Sequence, residues 1–299
     1  MDKKVLIIKS RSRLGMKYIP IGGTKLNLGV ENAPDEVLTE DFLKKINSFS
    51  NIDFDFSLPE KVPDEEYYSF MANEIDDLSK KIEKEIKDNN INYIVNVGGD
   101  HSVASASLLS VIRSNKDKKV GVIMFDSHGD IHLKKTSPTG NYHGMWLRPF
   151  WDQYDDPEIQ KIINVSLECD QLLFIGNLLL EEEEINFISK NKVKVFPSDK
   201  FEENIKENSC KQILDFCNNH DIVHVSFDID VFSTKYVTAT GTPNKDGFNK
   251  EMIFNIIDIL KNNNKIFSLD LVEVNPKKEG NIETVKLAQD VIERFLNLQ

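Results

Sequence analysis

Residues 120–130 read VGVIMFDSHGD, and this stretch decides the fold class. The apolar run at residues 120–125 is typical of a parallel strand that is buried on both faces. Three side chains that bind metals well, Asp126, His128 and Asp130, follow at every second position where the strand stops. Residues two apart on an extended segment point to the same side, so we expect these three side chains to converge.

Two further apolar runs end in the same way. His101 follows the run at residues 93–97, and Asp228 and Asp230 follow the run at residues 222–225. Because ligands of open α/β sheets bind beyond the carboxyl ends of the strands, we expect the three groups to meet. Together they offer four carboxylates and two imidazoles. This set suits a pair of divalent cations, and its oxygen content favours manganese over zinc.

Short apolar runs alternate with longer amphipathic stretches through almost the whole chain. The predicted strands cover residues 5–8, 91–97, 120–125, 172–175, 193–196, 222–227 and 266–274. The predicted helices cover residues 65–89, 103–113, 182–191, 201–217, 250–260 and 282–298. This α/β alternation predicts a parallel sheet covered by helices on both sides. No linker or repeat divides the chain, so we predict one domain over residues 1–299. Residues 21–34 and 133–154 are predicted to be loops, the second forming part of the site wall.

The composition excludes several classes of protein. A net charge of -12 argues against a nucleic-acid partner and fits a site for cations and a positively charged substrate. The three cysteines, Cys169, Cys210 and Cys217, form no Cys-x-x-Cys pair, which favours a reducing, cytoplasmic location. The apolar stretch at residues 5–8 is too short for a signal peptide or a membrane span, so no membrane partner is expected.

Six short motifs occur between residues 98 and 276. They are GGDHS (98–102), DSHGD (126–130), GNYHGM (140–145), SFDID (226–230), ATGTP (239–243) and EVNP (273–276). On these motifs the chain resembles the ureohydrolase family, which includes arginases and agmatinases, and residues 136–143 are similar to the bacterial arginase branch. The resemblance implies a three-layer α/β/α fold with a mostly parallel sheet and two Mn²⁺ per subunit. It also implies hydrolysis of L-arginine to L-ornithine and urea by a metal-bridging hydroxide, in a homo-oligomer that is a trimer or a hexamer.

The resemblance also implies roles for individual residues. The six metal ligands are His101, Asp126, His128, Asp130, Asp228 and Asp230. Asp130 would in addition bind the hydroxide and carry its proton to the leaving amine, and His143 would exchange protons with bulk water. Glu273 would pair with the guanidinium group, and Thr242 would line that end of the substrate site. Thr139 and Asn141 match contacts to the substrate carboxylate, while His132 and Glu181 fall at further substrate-binding positions.

Four positions depart from the family pattern. His132 stands where Asn is usual, and Glu181 where Asp is usual. Ser127 replaces a usual Ala, and residues 231–234 replace Gly-Leu-Asp-Pro, which removes a carboxylate next to the ligands. The changes at the substrate end leave open agmatine, another guanidino compound or formiminoglutamate as the substrate, or a member that has lost turnover. A zinc deacetylase fits less well, because such a site needs one ion and fewer carboxylates.

Four other side chains have simpler interpretations. Trp146 and Arg148 lie where smaller residues are common, and they are expected either to narrow the pocket or to contact another subunit. His224 lies within a predicted strand and is expected in the core. His220 lies in a polar turn and is expected to be solvated.

Overall fold

The computed structural model describes residues 4–16, 27–56, 66–151, 154–202 and 206–298. Within these ranges the strands are β1 (Val5–Arg11), β2 (Phe49–Asp55), β3 (Tyr93–Gly98), β4 (Val120–Phe125), β5 (Leu172–Ile175), β6 (Lys194–Phe196), β7 (Ile222–Asp228) and β8 (Ile266–Val272). They form one sheet in the order β2-β1-β3-β8-β7-β4-β5-β6, and neighbouring strands pair in parallel. The predicted parallel sheet is therefore confirmed.

The helices lie on both faces of this sheet. In the described part of the chain they are α1 (Ala33–Val37), α2 (Glu40–Leu43), α3 (Tyr67–Asn89), α4 (Ala104–Ser114), α5 (Pro157–Ile162), α6 (Glu182–Asn191), α7 (Lys206–Asn218), α8 (Lys250–Leu260) and α9 (Asn281–Leu296). Helices α1, α7, α8 and α9 contribute to one apolar cluster, and α3, α4, α5 and α6 contribute to the other. The three-layer α/β/α architecture is thus present.

Strand β4 shows how the sequence produces these layers. Each of its six residues is buried. Ile123 and Phe125 belong to the first apolar cluster, while Val122 and Met124 belong to the second. Successive side chains of a strand point to opposite faces, so a continuous apolar run is required where both faces carry helices.

The strand order brings the predicted ligand segments to one edge. Strands β3, β8, β7 and β4 are consecutive neighbours at the centre of the sheet. Because they are parallel, their carboxyl ends lie at the same edge. His101, Glu273, Asp228 and Asp126 each fall at or just beyond one of these ends. The fold therefore supplies the convergence that the sequence predicts.

Most predicted elements are confirmed, and four further elements were not predicted. Strand β2 and helices α1, α2 and α5 are additional to the predicted elements. The predicted loop at residues 133–154 contains short 3-10 turns at Tyr142–Met145 and Arg148–Phe150, and part of the predicted loop 21–34 is helix α1. Residues 21–26 of that loop and 203–205 of the predicted helix 201–217 lie outside the described residues. The single domain over residues 1–299 stays a prediction.

The prediction that His220 is solvated is wrong. Its ring is buried against Phe216, with 4.4 Å between the ring centroids, and its Nδ1 lies 2.7 Å from the Phe216 carbonyl oxygen. Gly121 makes room for it, since a Cβ there would lie 2.8 Å from the His220 ring. His224 is buried in the core as predicted. Among the helices of the described ranges, none combines the length and the apolar character of a membrane span.

Candidate metal centre

The turn after β3 carries the first predicted ligand, His101. Gly99 lies close to the backbone just after β1. An added Cβ would be 1.8 Å from the carbonyl oxygen of Ser12, so only glycine fits. Asp100 then accepts hydrogen bonds from the backbone N–H groups of Ser102 and Gly15. This tight, buried turn fixes the point at which His101 enters the site.

The His101 imidazole faces three carboxylates. Its Nδ1 lies 3.0 Å from Oδ2 of Asp130, 3.2 Å from Oδ2 of Asp126 and 3.3 Å from Oδ2 of Asp228. His101, Asp126 and Asp130 each offer a ligand atom, and these atoms lie within 4.8 Å of one another. These residues, with Asp228, are called the His101 group below.

A second group of potential ligands adjoins the first. His128 Nδ1 lies 3.0 Å from Oδ2 of Asp230 and 3.5 Å from Oδ1 of Asp126. The ligand atoms of this His128 group also lie within 4.8 Å of one another. Asp126 therefore directs one carboxylate oxygen to each group. A carboxylate shared in this way would suit two neighbouring cations.

Backbone hydrogen bonds orient the carboxylates. Oδ1 of Asp126 accepts from the His128 N–H at 2.6 Å, and Oδ1 of Asp228 accepts from the Asp230 N–H at 2.8 Å. Oδ1 of Asp230 accepts from the Ser127 N–H at 3.1 Å. In each carboxylate the second oxygen is left to face an imidazole. Asp130 holds its position with a φ of 53°, a left-handed conformation that is uncommon outside glycine.

Ser127, one of the departures from the family pattern, takes part in this arrangement. Its hydroxyl donates to the Asp230 carbonyl oxygen at 2.8 Å and accepts from Nδ2 of Asn244 at 2.9 Å. The altered segment 231–234 has a different character, because Val231 and Phe232 are fully buried in the apolar core. The first half of that segment thus packs in the core, while Ser127 adds a polar contact to the ligand turn.

The electrostatics of the two groups would favour a bound cation. Burial raises the pKa of Asp228 well above its usual range, and repulsion from Asp230 and Asp126 adds to the effect. Burial opposes protonation of His101 and His128, but the facing carboxylates outweigh it and raise the pKa of both imidazoles. Divalent cations would relieve the repulsion among the carboxylates directly.

Two buried atoms provide a test of whether a metal fits. His101 Nδ1 and Asp126 Oδ2 are both buried and lie 3.2 Å apart, but neither makes a well-aligned hydrogen bond among the described residues. Buried polar atoms are normally satisfied, so this pair calls for a further partner. A cation between them would be that partner, and the oxygen-rich donor set with one imidazole in each group suits Mn²⁺.

Glu273 lies beside the His101 group, with a hydrogen-bond partner at each carboxylate oxygen. Its Oε1 accepts from the backbone N–H of His101 at 2.9 Å and lies 3.3 Å from Nδ1 of His143. Its Oε2 accepts from Nδ2 of Asn27 at 3.0 Å. Burial raises the pKa of Glu273, but the hydrogen bond and charge of His143, together with the hydrogen bond and charge of His101, outweigh it, so the net shift is downward and favours the ionised carboxylate. The same contact raises the pKa of His143 against the effect of burial.

The predicted substrate-binding residues lie in three places. His132 Nε2 lies 3.1 Å from Oε2 of Glu181, at the start of α6. Thr139 and Asn141 lie on an exposed turn in which the Asn141 N–H donates to the Thr139 hydroxyl. Thr242 is exposed and follows Gly241, where an added Cβ would come within 3.2 Å of Glu273 Oε2.

Glu184 belongs to the same region, although no sequence motif points to it. It is buried, it accepts hydrogen bonds from the N–H groups of Ile131 and Glu181, and its Oε2 lies 3.7 Å from His132. Burial raises the pKa of its carboxyl group to about 7. Its position three residues after the helix N-cap was the available signal, since a glutamate there often returns a hydrogen bond to the cap.

Trp146 and Arg148 are both buried within the chain. Arg148 Nη1 donates to the Ile131 carbonyl oxygen at 2.9 Å and lies 3.1 Å from Glu183, and its guanidinium packs over the Phe187 ring. Arg148 thus links Ile131, the residue after Asp130, to helix α6. This differs from both roles expected for it, which were to narrow the pocket or to contact another subunit.

The comparisons with known proteins agree with this geometry. The arginase family model matches residues 16–297. The arginase of Staphylococcus aureus is 29% identical over 229 residues, which cover 75% of this chain and 74% of that protein. The arginase of Plasmodium falciparum is 31% identical over 212 residues, covering 69% of this chain and 50% of that protein. In fold, the structure of Entamoeba histolytica arginase in complex with L-ornithine superimposes with a TM-score of 0.84 at 23% identity, over 98% of each chain.

Proposed function

Because the chain belongs to the arginase family, we propose that it hydrolyses the guanidino group of L-arginine to L-ornithine and urea, using two Mn²⁺ ions per subunit. The observation that carries the proposal is the pair of ligand groups that share Asp126, with Glu273 and His143 beside them. The six predicted ligands would hold the two ions. When bound, such an ion pair supplies a water of lowered pKa at neutral pH and polarises the bond to be cleaved.

Glu273 would orient the substrate. A carboxylate that stays ionised can form paired hydrogen bonds with a guanidinium group, because the two groups match in charge and in planar geometry. The Glu273 Oε1 atom lies 2.9 Å from the backbone nitrogen of His101, so a guanidinium bound there would be next to the ligand cluster. Holding the reacting carbon at that position supplies the proximity that the reaction needs.

Asp130 and His143 would handle the protons. Oδ2 of Asp130 faces His101, which leaves Oδ1 on the side of Gly144 to accept a proton from the attacking water. Asp130 would then return this proton to the nitrogen of the leaving amine. His143 is partly exposed and contacts Glu273, so its imidazole can exchange protons between the site and bulk water.

A specific observation favours a second substrate, agmatine. His132 stands at a position that would contact the substrate carboxylate, but it is paired with Glu181, and Glu184 lies close by. An acidic cluster of this kind attracts an amine more than a carboxylate. Agmatine has the guanidino group and lacks the carboxylate. Another guanidino compound or formiminoglutamate belongs to the same alternative.

A substrate panel tests the proposal. The purified full-length protein, loaded with Mn²⁺, is given L-arginine, agmatine and formiminoglutamate in parallel, with urea or formamide measured as the product. Urea from L-arginine supports the main proposal, and urea from agmatine alone supports the second. If the protein binds two metal ions and cleaves none of these compounds, the result would support the third alternative, a family member that has lost turnover.

We also propose a cytoplasmic location and a homo-oligomer that is a trimer or a hexamer, with a small guanidino compound as the ligand. The absence of disulfide motifs and the family membership support these proposals. Sedimentation equilibrium of the purified protein measures the number of subunits, and a monomer would contradict the proposed assembly.

A further inference from the structure

Trp146 lies directly against a predicted metal ligand. Its indole stacks on the imidazole of His101, with 4.9 Å between the ring centroids and 29° between the ring planes. Both side chains are buried, at 0% and 1% exposure. The sequence places Trp146 three residues after His143, so a single short segment brings both side chains to the site.

The stacked indole completes the set of contacts around the His101 ring. Nε2 lies 2.8 Å from the Ser226 hydroxyl, and Nδ1 faces the carboxylates of the His101 group. These two contacts act at the edges of the ring. The indole lies against one face of the imidazole, so it blocks rotation of the imidazole about its Cβ–Cγ bond.

The segment that carries Trp146 is itself anchored on two sides. The Trp146 carbonyl oxygen accepts from the Ser105 hydroxyl at 3.1 Å, on the helix that follows His101. The Leu147 N–H donates to the carbonyl oxygen of Asp130 at 3.3 Å. The indole is therefore held in fixed relation to two of the predicted ligands.

We propose that Trp146 is a positioning residue of the metal centre, which holds the His101 imidazole with Nδ1 directed at the metal and shields that ring from water. The proposal rests on the metal centre of the proposed function and goes beyond it by assigning a residue that is no ligand. Groups that orient a metal ligand typically change metal affinity by about 10- to 100-fold.

The stacking face of the indole carries this effect, and its N–H group does not. Nε1 of Trp146 is buried and makes no hydrogen bond to the described residues. A phenylalanine would keep a stacking face and would lose only this unbonded N–H. Trp146→Phe is therefore the conservative variant, and Trp146→Ala removes the face.

The second tryptophan of the chain provides a matched control. Trp151 is also buried, but it packs beside Phe150 and its Nε1 donates to the Glu168 carbonyl oxygen. Trp151→Ala thus removes an indole of similar burial that does not touch His101.

Metal affinity of the full-length protein tests the proposal. Free Mn²⁺ is set with a nitrilotriacetate buffer, and bound manganese is measured for the wild type, the two Trp146 variants and Trp151→Ala. We expect Trp146→Ala to weaken binding of one ion by about 10-fold or more. Trp146→Phe and Trp151→Ala should stay within about threefold of the wild type, well below the range typical for loss of a group that orients a ligand.

Tryptophan fluorescence gives a second measurement that needs no destabilising change. The sequence has two tryptophans, so Trp151→Phe leaves Trp146 as the only indole, and Trp146→Phe leaves Trp151. Mn²⁺ is paramagnetic and quenches a fluorophore at close range. Loading with Mn²⁺ should therefore quench Trp146 more strongly than Trp151, while diamagnetic Zn²⁺ should not reproduce the difference.

Several outcomes would overturn the proposal. Unchanged manganese affinity in folded Trp146→Ala, or an equal loss in Trp151→Ala, would show that the stacking does not position His101. If Trp146→Ala fails to fold, the fluorescence decides: equal quenching of the two indoles would show that Trp146 does not lie at the metal centre, and the proposal would fall. If the wild type binds no divalent cation, the metal centre and the role of Trp146 fall together. If it binds two ions and cleaves no guanidino compound, only the proposed reaction falls.

Discussion

The Nε2 atom of His132 lies 3.1 Å from Oε2 of Glu181, so two residues that depart from the family pattern contact each other. Glu181 is exposed, while His132 is buried, and Glu184 approaches the same imidazole at 3.7 Å. Each change alone would alter one proposed substrate contact. Together they place an imidazole beside a carboxylate of the chain, where it would be less available to a carboxylate of a substrate.

Replacing His132 with asparagine is expected to shift specificity toward L-arginine. The amide is smaller and would leave Glu181 free, so the ratio of kcat/KM for L-arginine to that for agmatine should rise about fivefold, which corresponds to about 1 kcal/mol for one hydrogen bond. The measurement is urea release from each substrate. Glu181→Asp is the companion variant, and an unchanged ratio in His132→Asn would mean that this pair does not select the substrate.

Asp228→Ala is expected to abolish urea release because the metal centre is lost. Asp228 Oδ2 lies 3.3 Å from His101 Nδ1, and the loss of a ligand leaves the other carboxylates without their cation. Bound manganese and urea production should both fall, and the surface variant Asp117→Ala should change neither. Normal metal content and normal turnover in Asp228→Ala would remove Asp228 from the site.

His143→Ala is expected to slow the reaction without emptying the metal centre. His143 contacts Glu273 and is not among the predicted ligands, so bound manganese should stay at the wild-type value. Loss of a proton-transferring group typically costs about 10²- to 10⁴-fold in rate, and we expect kcat to fall within this range. Added imidazole should restore part of kcat; a fall in bound metal would instead give His143 a ligand role.

The sequence predicts the centre of this fold better than its edges. Strands β3, β4 and β7 are buried along their whole length on both faces, and their mostly apolar sequences predict them for that reason. The edge strand β2 has the alternating pattern FSNIDFD with exposed residues at Asn51 and Asp53, so its signal is weak. The short helix α5 had only its Asp156-Pro157 start as a signal.

Contacts between distant segments were beyond the reach of the sequence. The spacing of ligands predicts that Asp126, His128 and Asp130 converge, since all three follow the same strand at every second position. No local pattern predicts that the Trp146 indole stacks on His101 or that Asn27 donates to Glu273, because these contacts join residues far apart in the chain. The prediction for His220 was wrong for the same reason, since the space for its ring is left by Gly121 on strand β4, far away in the sequence.

The buried His220 predicts a loss of stability in acid. Burial lowers the pKa of His220 below its usual value of 6.5, so the unfolded chain takes up the proton first as the pH falls. The contribution of this group is therefore fully present above pH 6.5 and is lost as the pH falls through the folded-state pKa. In His220→Gln this component should be absent. Urea denaturation at pH 7 and pH 5 measures it.

The difference in unfolding free energy between pH 7 and pH 5 should be smaller for His220→Gln than for the wild type. The exposed neighbour provides the control, and Asn219→Gln should keep the wild-type difference. An equal pH dependence in His220→Gln and the wild type would mean that the imidazole is solvated after all.

Urea release from L-arginine, measured together with bound metal before and after chelation, tests the central claim that two adjoining ligand groups hold a catalytic pair of cations. We predict two manganese ions per chain and steady urea production in the loaded protein. After chelation both should be lost, and both should return when Mn²⁺ is restored. Urea production that persists in metal-free protein would show that the reaction does not depend on cations held by these ligand groups.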